Sequence, residues 1–206
     1  MLKRMFDVIA SLLGLLVLFP FFIVAGIAIK LDSPGPVFYR GVRAGRHGIP
    51  FKIFKLRTMV LDAEKLGGGT TALDDVRITR VGSLLRKFKL DEFPQLINII
   101  LGDMSLVGPR PELLQYTNLF QGEEKKILSV RPGITDYSSM EFVALEEIVG
   151  RVDVDRIFEE KILARKNDLR IKYVNEQSFL LDLKLIFLTL WGIVKKIKSP
   201  KKSADD

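Results

Sequence analysis

Cysteine is absent from the 206 residues, so the chain has no disulfide framework, no cysteine nucleophile and no thiolate metal site. Histidine is nearly absent: His47 stands alone and cannot build a multi-histidine zinc site. Aromatic polar residues are few, with one Trp and four Tyr, and no nucleic-acid motif is recognisable. No nucleic acid is therefore expected as partner, although the chain is basic. A removable signal peptide is not expected either. It would have a shorter apolar core and a small-residue cleavage site, whereas Lys30-Leu31-Asp32-Ser33-Pro34 follows the N-terminal apolar run. Internal repeats and a second domain are also not evident.

What is present is apolar and basic at once. The chain is 48% hydrophobic and 28% charged, with net charge +7, mean hydropathy +0.19 and pI near 9.6. That combination suits a single domain held at an anionic membrane, where basic groups near the surface gain roughly 1 kcal/mol each. From Val8 to Ile29 run 22 residues without a charge, preceded by Lys3 and Arg4. As helix they reach about 33 Å, against a hydrocarbon core of about 30 Å. Pro20 lies inside this run. Its ring frees the Leu16 carbonyl and divides the helix into arms of roughly 22 and 18 Å, each too short to cross alone. Cations flank both sides, with Lys30, Arg40, Arg43 and Arg46 following, which suits a hairpin with both ends on one face. A kinked single span fits the length equally well.

Beyond Asp32–Pro36, which is turn chemistry, Val37–Tyr39 and Phe51–Leu56 read as strands of a hairpin around a Gly-rich turn. Residues 61–75, with Gly67-Gly68-Gly69, read as a surface loop. Helices are expected over Ile78–Phe88, over Phe93–Leu101 closed by Gly102, and over the charge-rich Val154–Val174. "SLVGPRPELL" (Ser105–Leu114) and "SVRPGITD" (Ser129–Asp136) read as stiff Pro-Gly turns. The uncharged core Leu185–Val194 is too short to span. With Trp191, Lys195, Lys196 and Lys198 it suits a helix lying in the membrane interface, or else a buried helix of the domain.

The chemistry centres on "KLDEFPQL" (Lys89–Leu96). Pro94 marks a helix's first turn, which places Asp91 and Glu92 at its N-terminal end, where an ionised carboxylate is favoured. On this stretch alone Asp91 reads most simply as an N-cap. The surrounding cations change that. Arg86 lies five residues before Asp91, Arg110 sits between Pro109 and Pro111, and Arg131 precedes Pro132-Gly133. Lys55 and Arg57 alternate on an expected strand and so share a face. Cations held on stiff turns suit a pyrophosphate substrate, and two adjacent carboxylates suit a nucleophile beside a magnesium ligand. Asp74-Asp75 is a rival acidic pair, read as solvated turn or helix cap.

Taken together, "FKIFKLRTM", "LDEFPQL", "GDMSLVGPRPE" and "RPGIT" resemble the bacterial sugar transferase family, the small monotopic phosphoglycosyl transferases that begin glycoconjugate assembly. The resemblance runs from the N-terminal segment to about Thr135, with a looser echo in "SFLLDLKLIFLTL". It implies transfer of a sugar 1-phosphate from a UDP-sugar to polyprenol phosphate with release of UMP. Asp91 matches the family's nucleophile, and Glu92 the neighbouring glutamate associated with magnesium. Arg86, Arg110 and Arg131 are candidate phosphate contacts, with Lys55 and Arg57 behind them. The expected partners are a UDP-sugar, polyprenol phosphate and anionic membrane lipid, with a homodimer possible and Mg2+ as cofactor. The expected fold is mixed α/β and helix-rich. It has a re-entrant membrane helix over 1–31, a cytoplasmic catalytic domain over 32–198 with a small hairpin or sheet, and a disordered tail over 199–206. The expected location is the cytoplasmic face of a bacterial inner membrane. The sequence departs from the family in two places. Phe19-Pro20 stands where a serine-proline pair breaks the family's helix, and Asp136 follows Thr135 where many members have glycine. A reading of another class, a membrane-anchored basic scaffold with Asp91 as a mere cap, has the same composition.

Overall fold

The computed structural model describes residues 1–66, 71, 75–142 and 154–198. It is helix-rich mixed α/β, with three two-stranded sheets among the described residues and one long apolar helix at the N-terminus. That helix, α1 (Leu2–Asp32), carries Pro20 inside it and does not end there. A proline removes one hydrogen bond and bends a helix, but the turns on either side survive where packing holds them. Packing changes partner at the proline. Leu15 and Leu18 join a core of Phe51, Ile53, Leu96, Ile99 and Met104. Phe21, Phe22, Ala25 and Ile29 join a second core with Leu56 and Leu85. The other face, from Leu12, Leu16 and Phe19 to Val24 and Ile27, is exposed and apolar.

Both ends of α1 are tied to the same domain. At the start, Lys3 Nζ donates to Val107 O (2.9 Å) and pairs with Asp182, while Asp7 accepts from Ser105 Oγ and Leu106 N. Asp7 is buried inside this apolar helix, and these donors offset the cost of that burial. At the end, the Arg57 guanidinium donates to Ser33 O, Pro34 O, Pro36 O and Ser33 Oγ, holding the turn that leaves the helix. Asp32 accepts from Val81 N (2.9 Å) and so joins α1 to the helix over Arg80–Lys87.

The expected hairpin is present in two paired sections. β1 (Phe38–Tyr39) pairs antiparallel with β4 (Lys55–Leu56), and β2 (Val42–Ala44) with β3 (Pro50–Lys52). A single turn, α2 (Ala63–Leu66), follows. The glycine run 67–69 and Asp74 lie outside the described residues. Asp75 corrects the solvated-turn reading: its carboxylate grips Arg77 through Nε and Nη2 in a pair almost closed to solvent. The distant Ala63 carbonyl, which also accepts from Arg77, helps draw that pair inward.

Helix α3 (Arg80–Lys87) starts at Thr79, whose side chain accepts from Gly82 N (3.0 Å). Helix α4 (Gln95–Leu101) ends at Gly102, which turns left-handed (φ 99°), as glycine does without steric cost. It runs antiparallel to α1: Arg4 donates to Ile100 O, Leu96 lies against Gly14, and the Phe93 ring meets Phe21 at 6.2 Å. The middle of α1, next to Pro20, therefore sits under the start of α4.

Two stretches read as turns contain strands. β5 (Ser105–Val107) pairs in parallel with β6 (Gly133–Thr135). Three residues are too few to show a period, and the pairing rests on a close approach no local pattern reveals. A Cβ on Gly133 would lie 2.1 Å from the Gly108 nitrogen. Short helices α5 (Leu114–Thr117) and α6 (Tyr137–Glu141) follow these strands. The charge-rich segment forms α7 (Val154–Ile157), a wider π turn (Phe158–Leu163) and α8 (Ala164–Glu176). It buries Phe158, Ile162, Leu169 and Tyr173 along one face. In α9 (Phe179–Lys198), Asp182 and Leu185 are buried, while Leu180, Phe187, Leu190 and Trp191 are exposed. Phe6 and Phe179 meet edge to face, which brings the start of α9 against the start of α1. The side chains of 193–198 and all of 199–206 lie outside the described residues.

Candidate active site

Between α3 and α4 the chain makes a tight 3-10 turn, Leu90–Glu92, entered through Lys89 in the left-handed region (φ 58°). A side chain there costs on the order of 1 kcal/mol and persists only where the surroundings impose it. The turn places Asp91 and Glu92 just before α4, and both are buried. Burial unaided would push both carboxyls up. For Asp91 burial prevails, reinforced by the Glu92 charge, against the pull of Lys55, Arg86 and Lys89. For Glu92 the opposite holds: against burial, Arg110 and Lys55 keep its carboxyl well below the usual range. Two adjacent carboxyls are thus driven apart. One is firmly ionised by its ion pairs. The other is held at raised energy when ionised.

The ion pairs are specific. Glu92 Oε1 accepts from Lys55 Nζ at 3.0 Å and from Arg110 Nη2 in a shorter contact. Lys55 arrives from β4 and Arg110 from the turn after β5, so the hairpin and the parallel pair meet over the dyad. Arg110 Nη1 donates to Ile134 O on β6 (3.2 Å). Prolines on both sides limit its backbone.

The other expected phosphate contacts sit elsewhere. Arg57 does not share a face with Lys55, because β4 ends at Leu56 and the Arg57 guanidinium turns into the carbonyl cage at the end of α1. Burial lowers its basicity, although it remains a cation. Arg131 Nε donates to Gly102 O (2.8 Å), at the far end of α4 from the dyad. Arg86, at the end of α3, is within electrostatic reach of Asp91. Lys89 is a cation of the site that sequence reasoning left out, although it begins the very stretch that carries the dyad. Its field reaches both carboxylates.

No group of three or more metal-ligating side chains occurs among the described residues. The donor set at the dyad is two carboxylates, with both hydrogen bonds to Glu92 made on Oε1. That set fits Mg2+, which commonly takes one or two protein carboxylates and fills its shell with water and substrate phosphates.

Residues 1–196 match the family model described as bacterial sugar transferase. The chain belongs to the bacterial sugar transferase family. It is 40% identical over 191 residues to EpsL of Bacillus subtilis (strain 168), a protein named as an uncharacterized sugar transferase, covering 92% of this chain and 85% of that one. It is 35% identical over 191 residues to a UDP-glucose:undecaprenyl-phosphate glucose-1-phosphate transferase of Caulobacter vibrioides, covering 91% and 68%. The protein of that same name from Escherichia coli (strain K12) is 37% identical over 207 residues. It matches 95% of this chain, which spans only 41% of that longer protein.

Proposed function

We propose that this sugar transferase moves a sugar 1-phosphate from a UDP-sugar to a polyprenyl phosphate and releases UMP. The observation that carries the reading is the buried Asp91–Glu92 pair, with Glu92 neutralised by Lys55 and Arg110 and Asp91 left with a raised carboxyl. A raised carboxyl is a better nucleophile once ionised, and the surrounding cations draw a diphosphate to it.

In the first step an Asp91 carboxylate oxygen attacks the sugar-bearing phosphorus. The phosphorus–oxygen bond to UMP breaks, and UMP leaves with the electron pair. In the second step an oxygen of polyprenyl phosphate attacks the same phosphorus. The aspartyl–phosphorus bond breaks, the carboxylate is restored, and a polyprenyl diphosphate sugar results. Arg110, Lys55, Arg86 and Lys89 offset the charge on the phosphates throughout. Asp91 and Glu92 would hold Mg2+, which when bound adds further positive charge beside the diphosphate.

For the membrane, α1 is long and apolar enough to cross by length and composition. Its two ends, however, are both bonded to the same domain, through Lys3 and Asp7 at one end and through Asp32 and the Arg57 cage at the other. That supports a re-entrant helix bent at Pro20, with the domain on the cytoplasmic face where a nucleotide sugar is available. The exposed apolar faces of α1 and α9 would then rest among lipids, and the Phe21–Phe93 contact would set the dyad directly above the membrane break.

The test is intact-mass measurement after UDP-sugar treatment without lipid. A phospho-sugar adduct on Asp91, absent in Asp91→Asn, is expected. Full UMP release by Asp91→Asn would rule out the covalent route. Labelling an N-terminal tag from the periplasmic side would show that α1 crosses.

A further inference from the structure

Asp136 is wholly buried and has no part in the chemistry above. Oδ1 caps α6, accepting from Ser139 N and Ser139 Oγ, both at 2.7 Å, and from Ser138 Oγ at 2.8 Å. A cap needs only one oxygen. Oδ2 is turned the other way. It accepts from Ser138 Oγ (2.9 Å) and from the backbone N–H of Arg110 (3.3 Å). Pro109 and Pro111 carry no N–H, so Arg110 supplies the only backbone donor in that three-residue turn. The neighbouring tie, Gly133 N to Pro109 O at 3.0 Å, uses an acceptor of the turn instead. The negative charge of Asp136 also favours the Arg110 cation that bonds Glu92.

We infer that Asp136 is a positioning residue: its second carboxylate oxygen fixes the Pro109–Pro111 turn so that the Arg110 guanidinium rests on Glu92. This rests on the reading of the dyad as a transferase site.

The experiment uses Asp136→Asn in the full-length, membrane-reconstituted enzyme. Asparagine caps helices as well as aspartate, but it can turn an amide N–H, instead of a carboxylate oxygen, toward the Arg110 N–H. The expected result is a melting temperature lowered by a few degrees, because two buried N–H groups then face each other, and faster hydrogen exchange at the Arg110 amide. The kcat for UMP release should fall about 10-fold, the scale of one hydrogen bond to a charged group, with little change in KM for the UDP-sugar. On an Arg110→Ala background the same change should add no further loss. Unchanged exchange at Arg110, or losses that multiply in the double variant, would overturn the inference. Should Asp136→Asn fail to fold, Asp136→Ser keeps a capping oxygen, lacks the second one and is read the same way. If the wild type releases no UMP from any UDP-sugar, the transferase reading falls, and exchange at Arg110 alone decides the positioning role.

Discussion

Two carboxylates flank the Pro109–Pro111 turn, and each is held by a lysine and an arginine. On one side Glu92 bonds Lys55 and Arg110. On the other, Glu112 bonds Lys166 Nζ at 3.1 Å and Arg170 Nη2 more closely. The chemistry of the three groups is the same, and their surroundings differ. Arg170 is completely buried and Lys166 nearly so, with Lys166 also over the Phe158 ring and Asn167 bridging Arg170 to Glu124. Burial would raise the Glu112 carboxyl, but Arg170 and Lys166 hold it down at about 2. At Glu92 the cations keep about a quarter of their side chains exposed, and a second carboxylate, Asp91, shares the space. A closed triad stabilises the fold. The open one leaves Lys55 and Arg110 partly exposed beside Asp91, cations that an anion could still reach.

Four variants sharpen or break that contrast, in descending order of effect. Asp91→Asn is expected to reduce UMP release by at least about 10⁴-fold, as loss of a covalent nucleophile does. Its melting temperature should not fall, since the variant removes a carboxyl whose ionisation burial opposes. Residual activity near wild type, or a clear loss of stability, would return Asp91 to a capping role. Next, Glu112→Ala should cost about 3–5 kcal/mol, the range for breaking a buried ion pair from one side, measured by thermal unfolding in detergent. A loss under about 1 kcal/mol would mark the triad as an ordinary surface network.

Lys55→Ala should lower kcat/KM about 10- to 100-fold and move the acid limb of its pH profile upward. The sign follows from Asp91. Lys55 favours the ionised carboxyl, so without it ionisation needs a higher pH, on top of the rise from burial. An acid limb that stays put would remove Lys55 from the site. For Glu112 the folded pKa lies below the ordinary value, so its contribution is complete above about pH 4.5 and is lost as pH falls toward about 2. Smallest of all, Arg131→Ala should leave KM for the UDP-sugar within about 2-fold and cost about 1 kcal/mol of stability, the scale of one hydrogen bond to Gly102 O. A tenfold rise in KM would restore Arg131 as a phosphate contact.

The elements legible from sequence are those whose signal is local. The apolar run of α1, the hairpin, and the helices expected over Ile78–Phe88 and Phe93–Leu101, found at Arg80–Lys87 and Gln95–Leu101, follow from periodicity, Pro94 and Gly102; the 3-10 turn that carries Asp91 and Glu92 does not. The family motifs pointed to the dyad, because a short motif keeps its residues together in any fold. What sequence did not reveal was partner choice. Arg57, Arg110 and Arg131 have the same side chain on similarly stiff segments, yet only Arg110 reaches Glu92. Arg57 closes the end of α1, and Arg131 the end of α4. A guanidinium five bonds long takes whatever acceptor the distant chain brings within reach, and no local pattern records which one that is.

The same limit separates the rest. Composition and spacing by themselves determined an apolar, basic chain with an N-terminal apolar run long enough to span a membrane, a proline inside it and a carboxylate pair near a helix start. Only tertiary structure paired Ser105–Val107 in parallel with Gly133–Thr135 and brought Gly108 against Gly133. Only tertiary structure bonded both ends of α1 to one domain and brought Phe21, beside Pro20, against Phe93. These are contacts between residues tens of positions apart, fixed by backbone approach and buried charge, and neither leaves a period in the sequence.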